Sequence, residues 1–299
     1  MIKRTLFFGN PAYLSTKNEQ LVVGFPDEEK ESKSVPIEDI GVLVLENAQI
    51  TVSNRLLEKL VNNNVAVFHC NSQHLPIGML MPLNGHSEHS ERLRYQLEAS
   101  VPLKKNLWQQ TVQAKIRNQA GHLDMRGIPC KRMHGWAKEV LSGDNQNHEA
   151  RAAAFYWQNI FPISDFNRYR NGIPPNHLLN YGYAILRGLT ARALVSSGML
   201  PVLGIHHHNK YNAYCLADDI MEPYRPYVDT LVGDMVYSGK PIEELSIDVK
   251  RELLQLVVVD VTIDGKKSPL MNAMSRTTAS LYACFSGEAR KIMYPDYDD

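Results

Sequence analysis

Short runs rich in β-branched and aromatic residues dominate the first eighty positions. They are Thr5-Leu6-Phe7-Phe8, Leu21-Val22-Val23-Gly24-Phe25, Val42-Leu43-Val44-Leu45, Val65-Ala66-Val67-Phe68 and a last run, Ile77-Gly78-Met79-Leu80-Met81. Polar turns separate them, and this spacing predicts short strands in a small sandwich. One helix interrupts the strands: Ser53 is placed as its N-cap, Leu56, Leu57 and Leu60 form its apolar stripe, and Asn62-Asn63-Asn64 stops it. The polar stretch Asn84 to Ser90 marks a boundary, giving an N-terminal β-rich domain at 1–84, a linker at 85–92 and a C-terminal domain at 93–299. Beyond it the apolar spacing becomes helical. Residues 91–120 carry Leu93, Leu97, Leu107, Val112 and Ile116 with an interruption at Pro102, and 147–158, 175–197, 216–237 and 266–292 also read as helices. The expected fold class is α+β, a small N-terminal β-sandwich-like domain followed by a larger all-α C-terminal domain. The acidic tail 294–299 reads as loose.

Composition narrows the class. In 299 residues with 44% hydrophobic content, no apolar run reaches the roughly 18 residues of a membrane span. The N-terminus lacks a signal-peptide core, so a cytoplasmic location without membrane attachment is expected. Cys70, Cys130, Cys215 and Cys284 are scattered without a CxxC pair, which predicts reduced thiols rather than a zinc ribbon or a disulfide framework. The formal net charge of zero hides a segregation: residues 1–90 hold 7 Lys/Arg against 10 Asp/Glu, 91–215 hold 16 against 7, and 216–299 hold 9 against 15. A middle segment at net +9 in a neutral protein is the asymmetry of a nucleic-acid surface.

Candidate chemistry concentrates in G-I-H-H-H-N-K-Y-N-A-Y-C-L-A-D-D-I-M-E-P-Y-R-P-Y-V-D, residues 204–229. Asp219 and Glu222 lie three apart, so on a helix both carboxylates leave from one face. Imidazole and carboxylates on a short tether suit a hard divalent ion, Mn²⁺ or Mg²⁺. Spacing alone does not choose among His206, His207 and His208. Pro223 and Pro226 weigh against a regular surface helix. Glu222 and Arg225, three apart, have the spacing of an ordinary ion pair. Glu149 opens the helix His148 to Trp157. Position 152 is Ala, so the zinc-protease HExxH is absent, and taken alone Glu149 reads as a plain first-turn acid favoured by the helix dipole. Asn180 and Tyr183 are polar on an otherwise core-like helix, where Asn180 could bond a catalytic loop.

Taken in order, these residues resemble one family: the CRISPR-associated integrases that insert new spacers during adaptation. The run G-I-H-H followed by L-A-D-D-I-M-E-P-Y-R-P-Y-V-D carries the resemblance, with the helix at Glu149 and the segment L-L-N-Y-G-Y-A-I-L upstream. It covers nearly the whole chain, and I-H-H-H-N-K-Y-N-A-Y is most similar to the type II branch, which accompanies an RNA-guided single-effector nuclease. The resemblance implies a metal site of Glu149, His207 and Glu222, with Asp219, His206, Asn180 and Arg225 as additional or supporting positions. Many family members have Asp where Glu222 stands, and His206 replaces His207 if the register slips by one. It implies transfer of a DNA 3′-hydroxyl onto a phosphodiester with Mg²⁺ or Mn²⁺, with Arg151, Arg168, Arg170 and Arg187 among the DNA-gripping bases. The implied partners are double-stranded DNA, a second copy of the chain through the strand-rich domain, a dimer of a small ferredoxin-like protein, and the effector nuclease as a further associate. Two other classes remain open on the residues alone: a non-catalytic DNA-binding scaffold and a helical metalloenzyme acting on small molecules. The basic middle segment disfavours the second.

Overall fold

The computed structural model describes residues 3–27, 29–83 and 85–297, and the chain divides into two compact units, 1–83 and 84–299. In the first unit β1 (Arg4–Phe8), β5 (Ile40–Leu45), β7 (Ala66–Cys70) and β8 (Pro76–Leu80) form one four-stranded sheet in the order β1-β5-β7-β8. A second, ordered β4-β3-β2-β6, comprises β2 (Ala12–Lys17), β3 (Gln20–Gly24), β4 (Lys33–Pro36) and β6 (Ile50–Val52). The unbroken apolar run of β5 is explained by its place: it is flanked by parallel partners β1 and β7 and buried at every position. In β2, Ala12 and Leu14 are buried while Tyr13 and Ser15 face outward, the alternation of a half-covered strand. One core collects Leu14, Leu21 and Val23, Leu43 and Val67, and Leu56 and Leu60 of α1 (Asn54–Asn62). Ser53 does occupy the N-cap position of α1, but its hydroxyl makes no capping bond. Asn64 follows the helix in the left-handed region, which asparagine tolerates.

The second unit is helical with one exception. Its elements are α2 (His89–Glu98), α3 (Val101–Met125), α4 (Lys131–Glu139), α5 (His148–Asn159), α6 (Asn176–Ser196), α7 (Cys215–Met221), α8 (Arg225–Tyr237), α9 (Ile247–Leu253), β9 (Asp260–Ile263), β10 (Lys266–Pro269) and α10 (Leu270–Ser286). The span expected as one helix at 91–120 is two. Ser100 breaks it and its hydroxyl accepts from the Leu103 N–H, while Pro102 sits in the first turn of α3, where no donor is lost. The helix expected at 216–237 is interrupted by a 3₁₀ turn, Glu222–Tyr224, because Pro223 and Pro226 lack the amide an unbroken α-helix would use there. The all-α expectation is corrected by the β9–β10 hairpin, so the predicted helix 266–292 shrinks to α10. Asp264 and Gly265, both at positive φ, make the turn.

The tail is not loose as far as it is described. The Tyr294 hydroxyl lies 2.8 Å from Thr111 Oγ1, the Pro295 carbonyl accepts from Asn118 and the Asp296 N–H donates to Thr262. Asp298 and Asp299 fall outside the described residues. None of the four cysteines is in a disulfide, as expected. Among the described residues no helix is long and apolar enough to cross a membrane.

Candidate active site

α3 is the axis of the site. Thr111, Lys115, Asn118 and His122 recur at intervals of four, three and four, so they share one helical face, and all four are buried. Polar groups in such a position need partners. Asn118 donates to the Pro223 carbonyl, which fixes the 3₁₀ turn that carries Glu222 against α3. The Lys115 ammonium lies 2.6 Å from Glu149 Oε1 and 2.6 Å from Glu222 Oε2. It therefore joins the first turn of α5 to the 3₁₀ turn. Glu149 is presented by an N-terminal brace: the Asp144 carboxylate accepts from the N–H groups of His148 and Glu149 at 3.0 and 2.9 Å.

Burial works against charge on Lys115, but Glu222 and Glu149 outweigh it and hold the ammonium above its ordinary range. Burial likewise works against the Glu222 carboxylate, and Arg225 and Lys115 outweigh it, so Glu222 stays ionised. Glu222 Oε1 pairs with Arg225 at 3.1 Å, while Oε2 faces Lys115 without accepting a hydrogen bond of good geometry. Two carboxylates and two cations thus form a charge-compensated cluster in which Lys115 and Glu222 are buried and Glu149 and Arg225 are partly exposed.

The three histidines, indistinguishable by spacing, are given different places. Asp219, fully buried on α7, accepts from the backbone N–H groups of Ile205, His206 and His207 at 2.7, 3.0 and 3.2 Å, and lies 2.5 Å from His207 Nδ1. A carboxylate only accepts, so Nδ1 carries the proton and Nε2 is the free lone pair. The bond to Asp219 raises the His207 pKa against the effect of burial, with Glu222 and Glu149 adding to the rise through their charge. Position 204 has no room for a side chain, since a Cβ would strike the His207 carbonyl and lie 2.9 Å from Asp219 Oδ2. The His206 ring stacks on Trp108 at 4.1 Å with the two planes almost parallel, and His208, also exposed, has no such ring partner among the described contacts. Asp219 is engaged in holding the loop, His206 is exposed with one ring face against Trp108, and His207 is the half-exposed imidazole that feels the charge of Glu222 and Glu149, although the ligand atoms of Glu149, His207 and Glu222 do not gather within 4.8 Å of one another.

The remaining expected residues have other places. Asn180 accepts from Arg168 and donates to the Arg170 carbonyl, bracing the loop before α6 rather than the histidine loop. Arg187 pairs with Asp218 at 2.6 Å. Arg151 lies over Trp136, and its side chain is exposed, as is that of Arg170. Arg225, beyond its pair with Glu222, stacks over the Tyr183 ring, which also carries Arg168. Lys115 and Trp108 were not among the expected residues; the polar stripe on α3 was the signal for the former.

Behind Arg225 lies a buried relay. Tyr183 and Tyr156 donate to the two oxygens of Asp229 at 2.5 and 2.8 Å, and His122 Nδ1 lies 2.7 Å from the Tyr156 hydroxyl. Burial pushes Asp229 up to about 7 despite those two bonds, and pushes His122 down to about 3. With its folded pKa above the unfolded one, Asp229 favours the folded state at low pH, and that contribution is lost as pH rises from about 4 to about 7. His122, with its folded pKa depressed, has the opposite sign and loses its contribution as pH falls below about 6.5. The two slopes offset each other in the wild type. Asp229→Asn is expected to remove one of them, so that the stability of the variant relative to wild type improves by up to about 1.4 kcal/mol per pH unit between roughly pH 4 and 7. Urea unfolding across that range checks it; parallel curves for the two proteins would refute the raised carboxyl.

The chain is similar to known proteins in sequence and in fold. Residues 6–244 match the family model described as CRISPR associated protein Cas1. The CRISPR-associated endonuclease Cas1 of Neisseria meningitidis serogroup C (strain 8013) is 35% identical over 299 residues, covering 99% of this chain and 97% of that protein. Among solved structures, a casposase bound to integration product superimposes with a TM-score of 0.78 at 18% identity, over 99% of this chain and 93% of the other. A chain of a Cas6-RT-Cas1–Cas2 complex does so at 0.70 and 20% identity, over 96% of this chain and 35% of that one. At such identities the structural likenesses establish the fold.

Proposed function

The chain belongs to the Cas1 family of CRISPR-associated proteins, and on that premise we propose that it is a metal-dependent DNA strand transferase that inserts new spacers into a CRISPR array, with Glu149, His207 and Glu222 holding the ion. The single observation that carries the metal reading is Lys115. Its ammonium sits between Glu149 and Glu222, 2.6 Å from an oxygen of each, which is where a cation belongs. Two carboxylates and an imidazole Nε2 fit Mn²⁺ or Mg²⁺, the nitrogen favouring Mn²⁺. A bound ion of this kind supplies Lewis acidity toward a phosphodiester.

The residues around it have separable tasks. Asp219 fixes the His207 tautomer and points Nε2 outward, as carboxylates behind metal-ligating histidines do. Arg225 balances Glu222. Beside His207 a cavity of about 320 Å³ is lined by Lys104, His208, Lys210 and Asn212 among others, suited to a polyanionic strand. The Lys and Arg residues of 91–215, with Arg151 and Arg170 exposed, would grip DNA phosphates with a steep dependence on salt. The casposase of similar fold is bound to integration product and the other structural neighbour is a complex with Cas2; by analogy the partners here are double-stranded DNA and a small Cas2-like dimer. The β-rich unit serves as the homodimer surface, and its arrangement fits a sandwich-like module. The histidine-loop wording favours the type II-like branch, with the effector nuclease as a further associate.

Joining of a labelled short duplex into supercoiled plasmid, with the small partner present, is expected in Mn²⁺ or Mg²⁺ and is expected to disappear in EDTA. DNA binding without joining under those conditions would leave a non-catalytic scaffold. Lys115 itself is testable without the reaction. Lys115→Met removes the competing cation, so Mn²⁺ is expected to bind at least about tenfold more tightly, equivalent to roughly 1.4 kcal/mol. The metal-free variant should be less stable than wild type and recover on adding Mn²⁺. Unchanged affinity by electron paramagnetic resonance titration would separate Lys115 from the ion's place.

A further inference from the structure

A second cluster of metal-binding side chains lies at the other end of α3. Asp124 stands in the last turn of that helix, Cys130 is the N-cap residue of α4, and His134 follows one turn into α4 on the same face. By helical rise, Asp124 is about 13 Å along α3 from Lys115, so the cluster is distinct from the Glu149–Glu222 site. Cys130 Sγ is 3.0 Å from Asp124 Oδ1 and 3.8 Å from His134 Nε2, and His134 Nε2 is 2.9 Å from Asp124 Oδ2. In a tetrahedral zinc centre, neighbouring oxygen, nitrogen and sulfur donors stand roughly 3.3–3.6 Å apart, as its bond lengths require. The sulfur and the imidazole meet different oxygens of Asp124, and one donor atom from each of the three residues lies within 4.8 Å of the other two, close to the spacing that a single ion requires.

From this geometry we propose that Asp124, Cys130 and His134 bind a Zn²⁺-class ion that staples α3 to α4, separately from the Mg²⁺ or Mn²⁺ of the reaction. The donor set decides the class: thiolate and imidazole beside one carboxylate suit Zn²⁺ and disfavour Mg²⁺. Position agrees. The carbonyl end of α3 points its negative dipole toward the cluster, and the Ala120 carbonyl lies 3.4 Å from the sulfur. Cys130 is buried while the Asp124 and His134 side chains are 55% and 46% exposed, which leaves an entry path and a fourth position for water. In the metal-free protein, hydrogen bonds from the thiol and the imidazole to Asp124 hold the same three groups together.

The staple would reach the reaction centre through packing. α4 sets Trp136 edge-on against Phe155 of α5 at 6.0 Å, and α5 opens with Glu149. An ion closing the α3–α4 hairpin therefore stiffens the support of one catalytic carboxylate without touching it.

Co²⁺ is the optical probe. The full-length protein, stripped with chelator, is expected to bind one equivalent with the near-ultraviolet absorption of a thiolate–Co²⁺ bond and the strong visible bands of a four-coordinate ion, in the presence of excess Mg²⁺. Zn²⁺ should displace it and raise the melting temperature. His134→Ala and Asp124→Asn, at half-exposed positions, should weaken Co²⁺ at least about tenfold, and Cys130→Ser should remove the thiolate band. A Glu149→Gln, Glu222→Gln double variant should keep it. Absence of a thiolate band in the wild type, or its persistence in His134→Ala and Cys130→Ser, would overturn the site.

Discussion

Glu149→Gln is expected to lower metal-dependent DNA joining by on the order of 10³ or more, while leaving DNA affinity and folding close to wild type. Glu222→Gln should lose joining as completely but behave differently in the unfolding experiment. Glu149 is a quarter exposed at its side chain, whereas Glu222 is 5% exposed and faces both Lys115 and Arg225. Neutralising Glu222 leaves the buried Lys115 with Glu149 alone and the partly exposed Arg225 without its carboxylate, and breaking a buried pair in this way costs about 3–5 kcal/mol. The pair of variants therefore separates chemistry from architecture: both lose the reaction, and one also loses stability. Mn²⁺ should partly restore neither. Joining by Glu149→Gln at the wild-type rate would remove it from the metal's ligands.

The second large effect is expected at Asp219. Replacing it by alanine strips an acceptor from three backbone N–H groups and from His207 Nδ1 in a fully buried place. Each orphaned donor costs roughly 1–3 kcal/mol, so Asp219→Ala should be among the most destabilising single changes in the second unit. Asp219→Asn is the gentler probe. Its amide keeps the shape but turns two donors toward a ring of donors, and it no longer imposes the proton on Nδ1. Mn²⁺ affinity is expected to fall about 10–100-fold in this variant, the range for losing the group behind a ligating histidine. A purely structural role predicts lower stability with unchanged Mn²⁺ affinity, and calorimetric titration of the folded variant distinguishes the two.

The parts legible in the sequence are those whose chemistry is local. The histidine run, Asp219 and Glu222 stand within twenty residues, and periodicity places the last two on one side of a turn. The apolar run of β5 announced a buried strand because both of its faces are covered. Lys115 is illegible by composition, since a lysine in a long helix usually faces water, as Lys104 and Lys105 of the same helix could; only the spacing of Thr111, Asn118 and His122 around it marks an interior face. β4 carries a proline and too few residues for a pattern to register. The β9–β10 hairpin had its signal, Asp264-Gly265 between Val261, Ile263 and the following strand, but the helical reading of 266–292 ran over it. Asn180 shows the limit from the other side. Its polarity on a core helix was evident, yet which loop it braces depends on the path of residues 167–170, which no local pattern encodes.

The polar face of α3 also constrains how the protein comes into being. Its partners are supplied by Glu149, 34 positions downstream, by the Pro223 carbonyl, 105 positions downstream, and by Tyr294 and Pro295, 183 and 177 positions downstream of Thr111 and Asn118. During synthesis the helix emerges long before the groups that complete it, and until they arrive its interior face is better served by water than by a collapsed neighbour. The last turns of the unit are thus not an appendage to a finished domain but the closing step that allows its central helix to dehydrate.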